Sequence, residues 1–251
     1  MSPFLCIDFP FWDLLSFPRE FVDKKPLLTI KSLKEQVYEY LREQMRSGRL
    51  LAGSVIDMEE TSKKLGVSKT PLRDALLQLE MEGFVSILPR RKVIVNPLTL
   101  QDIKNMYEII GALESAALLS AFDRIQDADV CQLEQLNREM GEAIARDDFD
   151  LYYEKNLRFH DIFLSRGGNA SLVKLVNTLK KRLYDFPRQE GFVKEWEQAS
   201  IGEHAQLVEL IKRKAKAEAA AHIRDVHWSY EVQEKYISRY YLQAAAAQAR
   251  E

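Results

Sequence analysis

The stretch Leu65-Gly66-Val67-Ser68-Lys69-Thr70-Pro71-Leu72-Arg73-Asp74-Ala75-Leu76 decides how the first part of the chain folds. Gly66 ends a short helical segment, Met58 to Leu65, because glycine accepts the left-handed conformation that closes a helix. Ser68 opens the next segment, which runs to Met81 with Gly83 beyond it. Pro71 falls in its first turn, where a missing N–H is harmless. Two short helices joined by Gly66-Val67-Ser68 form a helix-turn-helix pattern. Upstream, Ile30, Leu33, Val37, Leu41 and Met45 recur three and four apart on one helical face. Ser32-x-x-Glu35 has the capping-box pattern near its start, and Gly48 is a natural stop. Downstream, Phe84–Leu88 and Val93–Val95 are β-prone runs joined by Pro89-Arg90-Arg91-Lys92, which has the form of a wing. Asn96-Pro97 reads as a linker. Residues 29–97 are expected to form a winged helix-turn-helix.

Beyond it the pattern is helical almost throughout. Loops are expected at Gln126–Ala128, Asp147–Asp148, Gly167–Gly168, Gly191 and Lys212–Lys214. They divide residues 98–251 into six or seven helices of an antiparallel bundle. The tail Ala244–Glu251 is helix-prone with little to bury. The fold class is therefore mainly α: an N-terminal winged helix-turn-helix plus a C-terminal all-α antiparallel helix bundle. Residues 1–28 stand apart as an extension, with six of its residues Phe or Trp and Pro3, Pro10 and Pro18 between them. Packing of those aromatics on the body, a subunit-crossing arm and a misassigned start are the open readings. Asp8 and Asp13 break its apolar run and no Lys or Arg precedes it, unlike a secretory signal.

Composition narrows the function classes. Apolar residues make up 46% of the 251 and charged residues 29%, which excludes wholesale disorder. No apolar run is long enough to span a membrane. Cys6 and Cys131 are far apart and form no CxxC, which argues against a disulfide framework or thiolate zinc site and fits a reducing cytoplasm. The net charge of −2 hides an asymmetry: residues 29–97 carry +3, the first 28 residues −1 and residues 98–251 −4. A mildly basic winged segment permits a polyanion partner.

Chemistry points to two sites. The helix beginning at Ser68 would enter a DNA major groove, with Lys69 and Arg73 one turn apart and able to reach guanine acceptors or phosphates together. Ser68 and Thr70 can donate to phosphate oxygens, and a helix N-terminus favours an anion there. Arg90, Arg91 and Lys92 could grip the backbone or enter the minor groove. The same pattern also suits a three-helix module that only contacts proteins. All four histidines, His160, His204, His222 and His227, lie in the helical half. Asn156 and His160 share a helical face. Facing helices can bring such groups onto one ion, and imidazole with an oxygen ligand suits Zn²⁺ or Ni²⁺. Packed or surface histidines are the alternative.

These residues carry a specific resemblance. Gly53-Ser54-Val55-Ile56 through Glu59, Leu65 through Leu76, and Leu79-Glu80-x-Glu82-Gly83-Phe84-Val85 resemble the winged helix of GntR-family transcription regulators. Asn156-x-x-Phe159-His160, Ser165-x-Gly167-x-Asn169-x-x-Leu172 and Glu203-His204 resemble the FCD ligand-binding domain of the family's FadR-like branch. The resemblance implies DNA contacts at Lys69, Thr70, Arg73 and the wing tip. It also implies a divalent metal, Zn or Ni, held by Asn156, His160, His204 and a third histidine. The family spacing favours His227, 23 residues after His204, over the runner-up His222, 18 after it. On an α-helix those two would point about 140° apart, so both would not serve one ion.

Two departures stand out. The family usually has Gly at the wing tip, where this chain has Lys92, and often an Arg three residues before the Leu113-Glu114 pair, where it has Ile110. Arg158 or Arg182 could replace that Arg as anchor for a small organic-acid effector, or the metal could bind a carboxylate through an open coordination position. The implied protein is a cytoplasmic homodimeric repressor on a pseudo-palindromic double-stranded operator. It is not an enzyme. A metalloenzyme is the rival, but no HExxH places a general base beside the histidines. A regulator with a purely structural metal is the third reading.

Overall fold

The computed structural model describes residues 31–89, 92–184 and 193–248. The expected extension over residues 1–28 lies outside the described residues, as do Arg90, Arg91 and the loop expected at Gly191. The winged part comprises α1 (Leu33–Arg46), β1 (Val55–Ile56), α2 (Met58–Leu65), α3 (Lys69–Met81), β2 (Val85–Leu88) and β3 (Lys92–Val95). The stripe Val37, Leu41 and Met45 of α1 packs on Leu72, Ala75, Leu76 and Leu79 of α3 in one hydrophobic cluster closed by Phe84, Val93 and Val95. The Asp57 carboxylate caps α2 by accepting from the backbone N–H groups of Glu59 and Glu60, and Gly66 ends that helix at φ 65°.

The sheet is antiparallel in the order β1-β3-β2, with Val85 opposite Val95 and Leu88 opposite Lys92. Two details differ from the expectation. β1 has only two residues, too few for any alternation to reveal it. Lys92 is the first residue of β3 and is paired in the ladder, so it does not stand at the tip of the wing.

The helical part comprises α4 (Leu100–Ala121), a 3₁₀ turn (Phe122–Arg124), α5 (Asp127–Ala145), α6 (Phe149–Arg166), α7 (Ala170–Tyr184), α8 (Lys194–Lys212), α9 (Lys216–His222), a π turn (Ile223–His227) and α10 (Tyr230–Gln248). A reciprocal capping box between Thr99 and Asp102 starts α4. The loop expected at Gln126–Ala128 is shorter, because the Asp129 carboxylate accepts the Gln126 N–H and α5 begins at once. Ile103, Leu118, Leu133, Met140, Phe159, Phe163, Leu207 and Ile223 belong to a second hydrophobic cluster, separate from that of the winged part. No described helix is long and apolar enough to cross a membrane.

Candidate functional site

The first candidate surface is the start of α3. Lys69, Thr70 and Arg73 are exposed there and border a groove completed by Ile87, Leu88 and Val93 of the wing strands. Ser68 holds the N-cap position, yet its hydroxyl makes no capping bond. The first turn of α3 contains no acidic residue, so the helix N-terminus keeps its attraction for anions. Lys69 lies 3.7 Å from Glu59 in an exposed pair, which contributes little and can open when a phosphate is offered.

The second candidate site is buried among α4, α6, α7, α8 and the π turn. His160 on α6, His204 on α8 and His227 in the π turn present ring nitrogens that all lie within 4.8 Å of one another. His160 and His204 are fully buried, and the His227 side chain is 9% exposed. Two of the rings are held from behind by carboxylates. His160 Nδ1 donates to Glu114 Oε2 at 2.7 Å, and His227 Nδ1 donates to Glu203 Oε2 at 2.8 Å. Each bond fixes the N–H on Nδ1 and leaves the Nε2 lone pair on the far side of the ring. His204 Nε2 is 3.3 Å from His160 Nε2, and its buried Nδ1 has no hydrogen-bond partner. Asn156, one turn before His160, is also buried, and its Oδ1 has no partner. One proton on His204 can serve either its Nε2 contact with His160 or its Nδ1, so at least one ring nitrogen and the Asn156 amide oxygen stay buried without a partner, which is costly unless a cation or a donor joins them.

Burial keeps the His160 and His204 rings neutral. Burial pushes the His160 imidazole down to about 4, against the pull of Glu114 in the other direction. Burial also drives His204 well below the ordinary imidazole range, and a second proton among these close-set rings would be repelled by any other. Glu114 shows the opposite balance. Burial alone would raise it, but His160 and Lys180 outweigh that and hold it well below the usual carboxylate range. With His160 neutral near pH 7, Lys180 is the effective counter-charge, 2.5 Å from Glu114 Oε1 and itself 2% exposed. Trp228 Nε1 donates to Glu114 Oε2 at 2.9 Å, so three donors converge on one buried carboxylate.

The π turn selects which of the late histidines reaches the cluster. Trp228 N–H bonds to Ile223 O at 2.9 Å, an i→i+5 closure that turns less per residue than an α-helix. His222 and His227 therefore do not diverge as an α-helix would make them. Both lean on Glu203: His222 Nε2 on its carbonyl at 2.8 Å, His227 on its carboxylate. Only His227 joins His160 and His204.

The two arginines weighed as effector anchors are placed elsewhere. Arg158 is exposed and faces Glu154 at 3.6 Å along its own helix. Arg182 reaches the winged part, donating to Pro97 O at 2.9 Å. Among the described residues, the cavity beside His227 is lined by Tyr107, Tyr152, Asn156, Glu197, Glu203 and Gln233 with further aromatics, and by no Lys or Arg. Glu114 and Lys180 were missed as site residues. Their signal was a charge on an apolar stripe: Glu114 between Ile110 and Leu118 on α4, Lys180 between Val176 and Leu183 on α7.

The model for bacterial regulatory proteins of the gntR family matches residues 33–95, and the model for the FCD domain matches residues 105–227. A curated HTH-type transcriptional regulator from the TAR-I ttuE-ttuC' intergenic region of Agrobacterium vitis is 30% identical over 131 residues, 51% of this chain and 77% of that protein. The HTH-type transcriptional repressor RspR of Escherichia coli is 28% identical over 130 residues, 52% of this chain and 57% of its own. Among solved structures, McbR/YncC of E. coli superposes with a TM-score of 0.65 at 23% identity, covering 86% of this chain and all of that one, which shows a shared fold. These relatives are regulators, not enzymes. The chain belongs to the GntR family of bacterial transcriptional regulators, with an FCD domain following its winged helix.

Proposed function

We propose that this regulator is a ligand-responsive, metal-dependent repressor that binds a pseudo-palindromic operator as a homodimer. Repression is suggested by the similarity to RspR. On this reading Ser68, Lys69, Thr70 and Arg73 contact the major groove, with Arg90, Arg91 and Lys92 supplying charge along the wing. His160, His204 and His227, with Asn156 as oxygen donor, would hold Zn²⁺ or Ni²⁺. The observation that carries this is the convergence of three buried imidazoles, two of them tethered through Nδ1 to carboxylates. A bound ion would supply an open coordination position able to take a carboxylate, which supports a small organic acid as effector. The chain's own groups then shape the rest of the pocket: Glu197, Glu203, Gln233 and the tyrosines fix orientation, and the aromatic walls exclude water.

The test is selection of bound duplexes from a random pool, followed by fluorescence anisotropy with and without metal and organic acids. A two-fold related sequence should emerge, and Lys69→Ala with Arg73→Ala should abolish its recognition while circular dichroism stays unchanged. Retained affinity in that double variant would refute the α3 assignment. Affinity indifferent to metal and to every acid would mean that the ion is structural only.

A further inference from the structure

The buried charges of α7 do not belong to one site. Lys180 and Arg182 are two residues apart and so point about 200° apart around the helix. Both are almost completely buried, at 2% and 4% exposed. Lys180 turns inward. Its ammonium pairs with Glu114 Oε1 at 2.5 Å and lies 5.4 Å from the centre of the Trp228 ring. Through Glu114 it is one residue removed from the His160 ring. Arg182 turns the other way, to the winged helix. Its Nη2 donates to Pro97 O at 2.9 Å and Asn96 O at 3.4 Å, and its guanidinium lies 5.2 Å from the centre of the Phe84 ring.

The point that Arg182 grips is a junction. Phe84 follows α3 after only Glu82 and Gly83, so its position is tied to the C-terminal end of the recognition helix. Asn96 Nδ2 donates to Gly83 O at 3.1 Å, Ser86 Oγ donates to Asn96 Oδ1 at 2.8 Å, and Asn96 N–H donates to Phe84 O. The chain leaving β3 is therefore sewn to the chain leaving α3, and Arg182 holds both. A Cβ added at Gly83 would stand 3.7 Å from Arg182 Nε, so the two chains are in contact there.

We propose that α7 transmits occupancy of the histidine cluster to the winged helix, with Lys180 as the receiving group and Arg182 as the output. The inference rests on the proposed cation site. A divalent ion among the ring nitrogens strengthens the His160 hold on Glu114 and adds positive charge on the far side of that carboxylate. Lys180 then shares its counter-charge with the ion and is repelled by it. Lys180 is rooted in α7, and any shift of α7 moves Arg182 against the carbonyls of Asn96 and Pro97. The proposal requires two arrangements of α7 that differ in these contacts, because a coupling free energy needs such a difference.

The test is hydrogen exchange of the full-length protein with and without Zn²⁺, read at two places: the bundle around α6 and α8, and the segment from Gly83 to Leu98. In the wild-type chain zinc should change exchange at both places, by about fivefold or more at the linker. Arg182→Ala should keep the bundle response and lose the linker response. Lys180→Met, which keeps the length and removes the charge, should take up zinc and also lose the linker response. An intact linker response in both variants overturns the proposal. Zinc uptake by the wild-type chain with no linker response overturns it while leaving the metal site standing. No zinc uptake at all overturns both.

Discussion

Replacing Glu114 by Gln isolates the charge at the centre of the bundle. The exchange conserves shape and removes one negative charge from a side chain with no exposure. Three donors then face a neutral amide: His160 Nδ1, Trp228 Nε1 and Lys180 Nζ. One amide oxygen can serve the first two, which share Oε2. The amide NH₂ then points at the ammonium 2.5 Å away, donor against donor. Turning the amide over reverses the fault and leaves the two ring N–H groups without an acceptor. Either way a buried cation loses its partner, and removing one member of a buried pair costs about 3–5 kcal/mol. For a chain of this size that corresponds to a melting temperature lower by roughly 6–20 °C. Urea titration followed by far-ultraviolet circular dichroism, in the presence of a chelator, reads the loss. Adding Lys180→Met to Glu114→Gln removes the orphaned charge and should recover more than half of it, so the two substitutions should be strongly non-additive. A Glu114→Gln protein within about 0.5 kcal/mol of wild type, or a double variant equal to the sum of the singles, would refute the ion-pair reasoning.

Three further outcomes follow from the same contacts. In the metal-free chain His160 stays neutral down to about 4, whereas in the unfolded chain it takes up a proton near 6.5. The unfolded state then binds more protons between those values, so stability should fall as pH drops from 6.5 to 4, by about 3 kcal/mol from this ring alone. Glu114, held low in the fold, adds a loss in the same direction below the ordinary carboxylate range; urea midpoints that stay flat from pH 7 to 5 would contradict this. A methyl at Gly111 would meet Trp228 Cβ at 2.9 Å, so Gly111→Ala should displace the π turn, cost about 1–3 kcal/mol of overpacking against a smaller gain in helix propensity, and weaken metal uptake at the adjacent His227. An alanine variant both more stable and unchanged in metal affinity would count against that packing. On duplex DNA, Lys69→Ala should weaken binding and lower the slope of log affinity against log salt by about one if Lys69 meets a phosphate; an unchanged slope, with lost base preference, would assign it to a base edge.

Much of the architecture was legible because it rests on local rules. Gly66, Ser68 and Pro71 marked the turn and the start of α3, and the stripe Val37, Leu41 and Met45 marked the buried face of α1. β1 was not legible, since a two-residue strand exists only through its pairing with β3. The histidines could be named from sequence and family spacing favoured His227 over His222, but how those two lie relative to one another depends on helical phase. An α-helical count set them on different sides; the π turn changes that phase, and no residue pattern announces it. Arg182 was misplaced for a related reason. Sequence shows that a charged residue lies on a helix, not that its buried end faces a neighbouring domain's backbone carbonyls. Glu114 and Lys180 were detectable as charges on apolar faces of α4 and α7, and their meaning came only from finding them paired.

On the proposed reading the helical bundle is built around a divalent ion. Elemental mass spectrometry of tag-free protein, purified without chelator, tests it most directly. About one ion per chain is expected, lost in His204→Ala and His227→Ala and kept in His222→Ala. No bound metal in the wild-type chain, even after incubation with Zn²⁺ or Ni²⁺, would contradict it and assign the three histidines to direct hydrogen bonding with an organic ligand.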